Sequence, residues 1–137
     1  MKKLFLLIGL FSFFNVQSQI VLDNTAPYDN STFLIDSVLL GGGVIATNHS
    51  FLGDPSQISW FDGSNSNIGI DTGIVLSSGD VADIVGPNDI PGSFLIGSFG
   101  LPGDSTLDVV IDPAETNDAA VLEFDFIPTS DTLKFKY

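Results

Sequence analysis

The strongest constraint on the fold lies at the C-terminal end, where Leu122, Phe124 and Phe126 alternate with Glu123 and Asp125. A period of two sends successive side chains to opposite faces, so Val121 to Ile127 reads as a half-buried β-strand. Thr132, Leu133, Lys134, Phe135, Lys136 and Tyr137 repeat the pattern, and Pro128 to Asp131 reads as a hairpin loop between the two runs. Pairing Ile127 with Thr132 sets Phe126 against Leu133, Phe124 against Phe135 and Leu122 against Tyr137 on one face. The other face then matches Asp125 with Lys134 and Glu123 with Lys136. Exposed pairs of this kind contribute only about 0.2–1 kcal/mol each, so burial of the aromatics sets the register. The last strand still alternates at Tyr137, which predicts a C-terminally incomplete domain and self-association through that strand.

The other end of the chain predicts export. Met1, Lys2 and Lys3 form a short basic start, Leu4 to Phe14 is an almost unbroken apolar run, and Val16-Gln17-Ser18 suits a signal peptidase. Residues 1–18 therefore read as a secretory signal peptide and 19–137 as one domain. The apolar run falls short of the roughly 20 residues that span a bilayer, so no membrane span remains after cleavage. All seventeen Asp and Glu lie beyond Ser18, where two lysines against seventeen acids leave a net charge of −15. Such a surface repels phosphate backbones, which excludes nucleic acid as a partner, and it favours divalent cations. With no Cys there is no disulfide framework, and stability must come from a packed core.

Between these ends the chain reads as short apolar segments separated by Gly, Pro, Asp and Asn turns. Leu34, Ile35, Val38 and Leu39 share a helical face, with Asn30 or Ser31 as the cap and Gly41 as the stop. Val44 to Phe51 and Ile58 to Phe61 read as strands joined by a Gly53-Asp54-Pro55 turn, the second carrying Trp60 as a core anchor. Gly73 to Leu76 is a β-branched run between turns and reads as a buried strand. Val81 to Val85 is expected to form one helical turn stopped by Gly86-Pro87. Asn88 to Gly103 reads as a surface loop with a short strand at Phe94 to Ile96. Leu107, Val110 and Ile111 have helical spacing ended by Pro113. The fold class is all-β, a two-sheet β-sandwich with one or two short helices.

Few residues suggest chemistry. His49 is the only histidine, no Gly-x-Ser-x-Gly elbow accompanies it, and it reads as an ordinary strand residue. Gly41-Gly42-Gly43 lacks the Lys and Ser/Thr of a phosphate loop. The Asp62 to Asp71 turn has a chemical rationale, since Asp62, Asn65, Asn67 and Asp71, with Ser64 and Ser66, offer oxygen ligands on a short loop. Oxygen donors without His or Cys suit Ca²⁺, although the spacing departs from the EF-hand loop and a hydrogen-bonded polar turn is the competing reading.

Collinear blocks then point to a family. They comprise Val38 to Val44, Gly53-Asp54-Pro55, Phe61-Asp62-Gly63, Gly69 to Gly79, Asn117 to Pro128 and Asp131-Thr132-Leu133. Together they resemble the choice-of-anchor L domain of bacterial surface and secreted proteins. The resemblance implies a module attached to varied C-terminal sorting or anchoring signals, with no catalytic residues to carry over. The family pattern continues beyond Tyr137 through an acidic Glu-Glu-Tyr element and further strands. The expectation is a non-catalytic module of an exported bacterial protein, serving adhesion or cell-surface organisation, with a surface glycan or protein as partner. The alternative is an extracellular hydrolase, or a glycan-binding accessory domain of one.

Overall fold

The computed structural model describes residues 19–40, 44–85 and 99–137, without 130, 133 and 135. Five strands and two short helices follow in chain order among the described residues: β1 (Val21–Asp23), α1 (Ser31–Phe33), β2 (Ile45–Leu52), β3 (Ile58–Asp62), β4 (Thr72–Leu76), α2 (Ser105–Ile111) and β5 (Val121–Ile127). They form two antiparallel sheets, one ordered β1-β3-β4 and the other pairing β2 with β5. The all-β, sandwich-like expectation holds. The leader at 1–18, the Gly41 stop, Gly86-Pro87 and the strand at Phe94 to Ile96 lie outside the described residues. Among the described residues no helix is long and apolar enough to cross a membrane.

The faces of β5 are as its alternation requires, with Leu122, Phe124 and Phe126 half-buried and Glu123, Asp125 and Ile127 exposed. Its partner differs from the expected hairpin. β5 pairs with β2, Ala46 opposite Phe126 and Phe51 opposite Leu122. Thr132, Lys134, Lys136 and Tyr137 are in no strand, while Leu133 and Phe135 lie outside the described residues. Asp125 accepts from Asn48 Nδ2 at 2.6 Å, and no lysine ion pair occurs among the described residues. The physical reason is that a period of two fixes the buried face but leaves the partner open, and β2 supplies eight residues of ladder.

That ladder holds a bulge. Thr47 faces Asp125 and Ser50 faces Glu123, so Asn48 and His49 together oppose Phe124. Asn48 takes the left-handed conformation at φ 55°, which Asn tolerates better than most residues. The extra residue reverses the parity of the strand. Ala46, His49 and Phe51 therefore all turn inward, while Ile45, Thr47, Ser50 and Leu52 turn out.

α1 begins where expected. Asn30 Oδ1 accepts from Phe33 N–H at 3.2 Å, and Leu34 N–H returns to the Asn30 carbonyl. The helix then widens into a π-helical stretch (Leu34–Leu39), with Leu40 N–H bonded to the Ile35 carbonyl five residues back. Leu34 and Ile35 are completely buried, but in the wider turn Leu39 leaves the core face and is 43 % exposed. The helix packs on β2 of one sheet and β4 of the other, and so bridges them.

β3 is the central strand of its sheet and carries Ile58 and Phe61 into the core. Phe61 lies opposite Gly73, where a Cβ would sit 2.9 Å from the Phe61 ring, so the glycine makes room for the aromatic. Trp60 is half-buried and stacks on Tyr28 with centroids 4.8 Å apart; Phe33 meets Tyr28 edge-on at 5.7 Å. The expected turn after β4 is a 3-10 helix (Val81–Ile84), capped by Asp80 and burying Val81. α2 forms on an Asp104 cap, yet Leu107, Val109, Val110 and Ile111 are all exposed.

A buried amide joins the two sheets. Gln57 is fully buried in the 3-10 turn (Pro55–Gln57) between β2 and β3. Its Oε1 accepts from Asp54 N–H at 2.6 Å, and its Nε2 donates to the Asp118 carbonyl at 2.8 Å. Asp118, at φ 53°, accepts from Leu101 N–H through its carboxylate and leads into β5. Gln57→Ala removes both amide bonds and strands their partners, and is expected to cost about 2–4 kcal/mol of unfolding free energy in denaturant titrations. Gln57→Glu keeps the Asp54 bond but sets a carboxylate against the Asp118 carbonyl, so its loss should lessen as pH falls and the new group protonates. A cost under about 1 kcal/mol for Gln57→Ala would show that the amide does not hold the sheets together.

Candidate functional site

Asp62 closes β3 and pairs with Thr72 at the start of β4, so the Asp62 to Asp71 turn is the β3–β4 hairpin loop. Its inner bonds are its own. Asp62 Oδ1 accepts from Ser64 N–H at 2.9 Å, Gly63 N–H donates to the Asp71 carbonyl at 2.9 Å, and Ser66 Oγ donates to the Gly63 carbonyl at 2.7 Å. A Cβ on Gly63 would lie 2.5 Å from the Ile70 carbonyl oxygen, so the close approach needs glycine. The hairpin brings Asp62 and Asp71 to its two ends, with Asn65 and Asn67 at its exposed tip or near it. Among the described residues no three His, Cys, Asp or Glu side chains converge as metal ligands.

The Asp62 arrangement recurs. Asp23 accepts from the N–H and hydroxyl of Thr25, Asp54 from those of Ser56, and Asp108 from those of Thr116. The hydroxyl is the larger cause of a lowered pKa at Asp23 and Asp62, and the backbone N–H at Asp54 and Asp108. Asp80 and Asp104 cap the two helical turns that follow them. Much of the acidity is therefore turn-building. The sequence signal, Asp followed two residues later by Ser or Thr, is present at Asp23, Asp54 and Asp62.

His49 is turned inward by the bulge and its Nε2 lies 3.0 Å from Asp36 Oδ1 on the π-helical stretch; its side chain is 15 % exposed. The pair ties β2 to the helix. A small cleft opens where the β1–α1 connection, the end of β2 and the start of β3 meet. Its volume is about 140 Å³. Tyr28, Phe51 and Ile58 give it aromatic and apolar walls, and Asn24, Asp29 and Ser31 line its polar side. Among the described residues the side chains of Asn24, Asp29 and Ser31 make no hydrogen bond. Sequence reasoning passed over this cleft because its lining comes from three separate segments, each ordinary on its own.

With this geometry in view, comparison with known families is informative. The model of the choice-of-anchor L domain matches residues 20–137. The chain belongs to the choice-of-anchor L domain family. Membership places it among the surface or exported modules of bacteria. No curated protein and no solved structure is matched. The blocks that carry the resemblance are structural in this choice-of-anchor L domain. Gly53-Asp54-Pro55 and Asn117-Asp118 meet through Gln57, and Phe61 to Gly63 with Gly69 to Leu76 make the β3–β4 hairpin.

A lowered folded-state pKa contributes stability that is complete above the ordinary value of 3.8 and is lost as pH falls through the folded value. Melting temperature should therefore drop on acidification below 3.8, and less steeply when Asp54→Asn or Asp62→Asn replaces an ionisable cap with a neutral one. In the hairpin, where Asp62 is already bonded to Ser64, Ca²⁺ and Mg²⁺ at matched ionic strength should raise the melting temperature equally. A Ca²⁺-specific rise, lost in Asp62→Asn and Asp71→Asn, would instead establish a calcium site.

Proposed function

We propose that this chain is a non-catalytic adhesive module of an exported bacterial protein. The match to the choice-of-anchor L domain over residues 20–137 carries this reading. Supporting it, the side chains resembling family blocks serve turns, caps and the link between the sheets. The chain reaches its fold with no cysteine, which suits a secreted domain that needs no oxidative folding step. Its net charge of −13 keeps it soluble and turns contact chemistry away from anionic partners.

Labelled protein should be retained saturably on intact bacterial cells, and retention should be competed by excess unlabelled protein but not by protein unfolded in acid. Flow cytometry measures this directly. Absence of saturable retention, together with release of reducing ends from cell-wall or capsular polysaccharide, would replace adhesion with a hydrolase.

A further inference from the structure

We propose that the cleft between the β1–α1 connection, the end of β2 and the start of β3 binds the ring of a neutral pyranose, the terminal sugar of a glycan. Size is the first argument. A cavity of about 150 Å³ encloses a benzene-sized ring, so this cleft of about 140 Å³ takes part of one pyranose, seating its apolar face and leaving the far hydroxyls in solvent. It is too small for a typical drug-sized or nucleotide ligand, whose pockets run from about 300 Å³ upward.

The lining decides what kind of ring. Tyr28, Phe51 and Ile58 offer an apolar wall suited to the C–H face of a sugar, while Asn24, Asp29 and Ser31 offer donors and acceptors to hydroxyls. A carboxylate and a primary amide can each engage two adjacent hydroxyls, and an aromatic hydrocarbon would leave them all unused. These three polar side chains are unspent, making no hydrogen bond among the described residues. Asp23, Asp54, Asp62, Asp80, Asp104 and Asp108 are committed to neighbouring turns or caps, whereas the exposed Asp29, unbonded among the described residues like Asp71 and Asp83, differs from those two in lining the cleft. Asp29 and a net charge of −13 select against sialic acids, uronates and phosphorylated ligands. The wall is also held rigid, since Tyr28 is stacked on Trp60 and met edge-on by Phe33. A fixed aromatic loses little freedom on binding.

This inference deepens the adhesive reading and rests on it. Trp60 is the only tryptophan and stacks on a residue lining the cleft, so its emission reports occupancy. The protein is titrated with the methyl pyranosides of glucose, galactose, mannose and N-acetylglucosamine, following Trp60 emission and backbone amide resonances. At least one glycoside should bind saturably in the millimolar range, with resonance shifts centred on Asn24, Tyr28, Asp29 and Ser31. Asp29→Ala and Asn24→Ala should each weaken binding about tenfold or more with melting unchanged, because neither side chain is bonded among the described residues. Glu123→Ala, on the outer face of β5, should bind as the parent does. Butylamine serves as a mimic of a lysine side chain. Saturation by butylamine and by no glycoside, no saturable response to any probe, or full affinity in both cleft variants would each overturn the assignment. If glycosides fail while cell retention persists, the cleft is wrong and adhesion uses another face; if glycosides bind without cell retention, the cleft stands and the adhesive reading falls.

Discussion

The described fold depends on one buried amide. β2 and β5 form one sheet and β1, β3 and β4 the other, and no strand ladder joins them among the described residues. Gln57 stands where the chain leaves the first sheet for the second. Its side chain grips Asp54 on one side and Asp118 on the other, and its carbonyl accepts from Ser77 N–H just after β4. Three segments therefore converge on one residue. Burying an amide costs free energy unless both its ends are bonded, so the arrangement is stable only when all of its partners are in place. Gly53 belongs to the same device, since a Cβ there would lie 2.9 Å from Gln57 Oε1. The requirement for every partner at once makes the link selective for one relative placement of the two sheets.

Acidity has a similar local explanation. A chain with few basic residues cannot pair its carboxylates with cations, and among the described residues the only ion pair is His49 with Asp36. Asp23, Asp54, Asp62, Asp80 and Asp104 accept instead from backbone N–H groups and Ser or Thr hydroxyls two or three residues on, while Asp108, Asp118 and Asp125 reach further, to Thr116, Leu101 and Asn48. Each such bond is between a charged acceptor and a neutral donor, and repulsion between distant exposed acids is weakened by salt screening. The charge that reads in the sequence as solubility is thus also turn chemistry.

What could be read from the sequence was whatever a short window determines. The alternation of Leu122, Phe124 and Phe126 gave the buried face of β5, and Asn30 gave the start of α1. Asp62-Gly63 marked the β3–β4 turn, whose oxygen-rich composition suggested calcium and whose Asp62 and Ser66 side chains also bond within the loop. Relations across the chain were not legible in the same way. Nothing in Ile45 to Leu52 names β5 as its partner, and a hairpin with the following residues satisfied the same pattern. Nothing in the sequence singles out Gln57, although the fold buries it completely. The cleft was invisible for the same reason, being assembled from residues 24–31, 51 and 58.

Two irregularities connect that long-range assembly to the cleft. In a regular β2, Phe51 would share the face of Ile45 and Thr47 and point away from the helix. The bulge at Asn48 and His49 reverses the strand's parity, so His49 meets Asp36 and Phe51 turns toward Tyr28 and Ile58. The π-helical turn supplies the matching change, because its wider winding sets Leu34 and Ile35 together into the core while Asp36 remains 46 % exposed at the helix edge, within reach of His49. Each distortion alone would misplace its side chains; together they complete one contact between helix and sheet. The aromatic wall of the cleft is consequently a product of backbone geometry several residues away, and its position is set by the left-handed conformation of Asn48 as much as by the residues that line it.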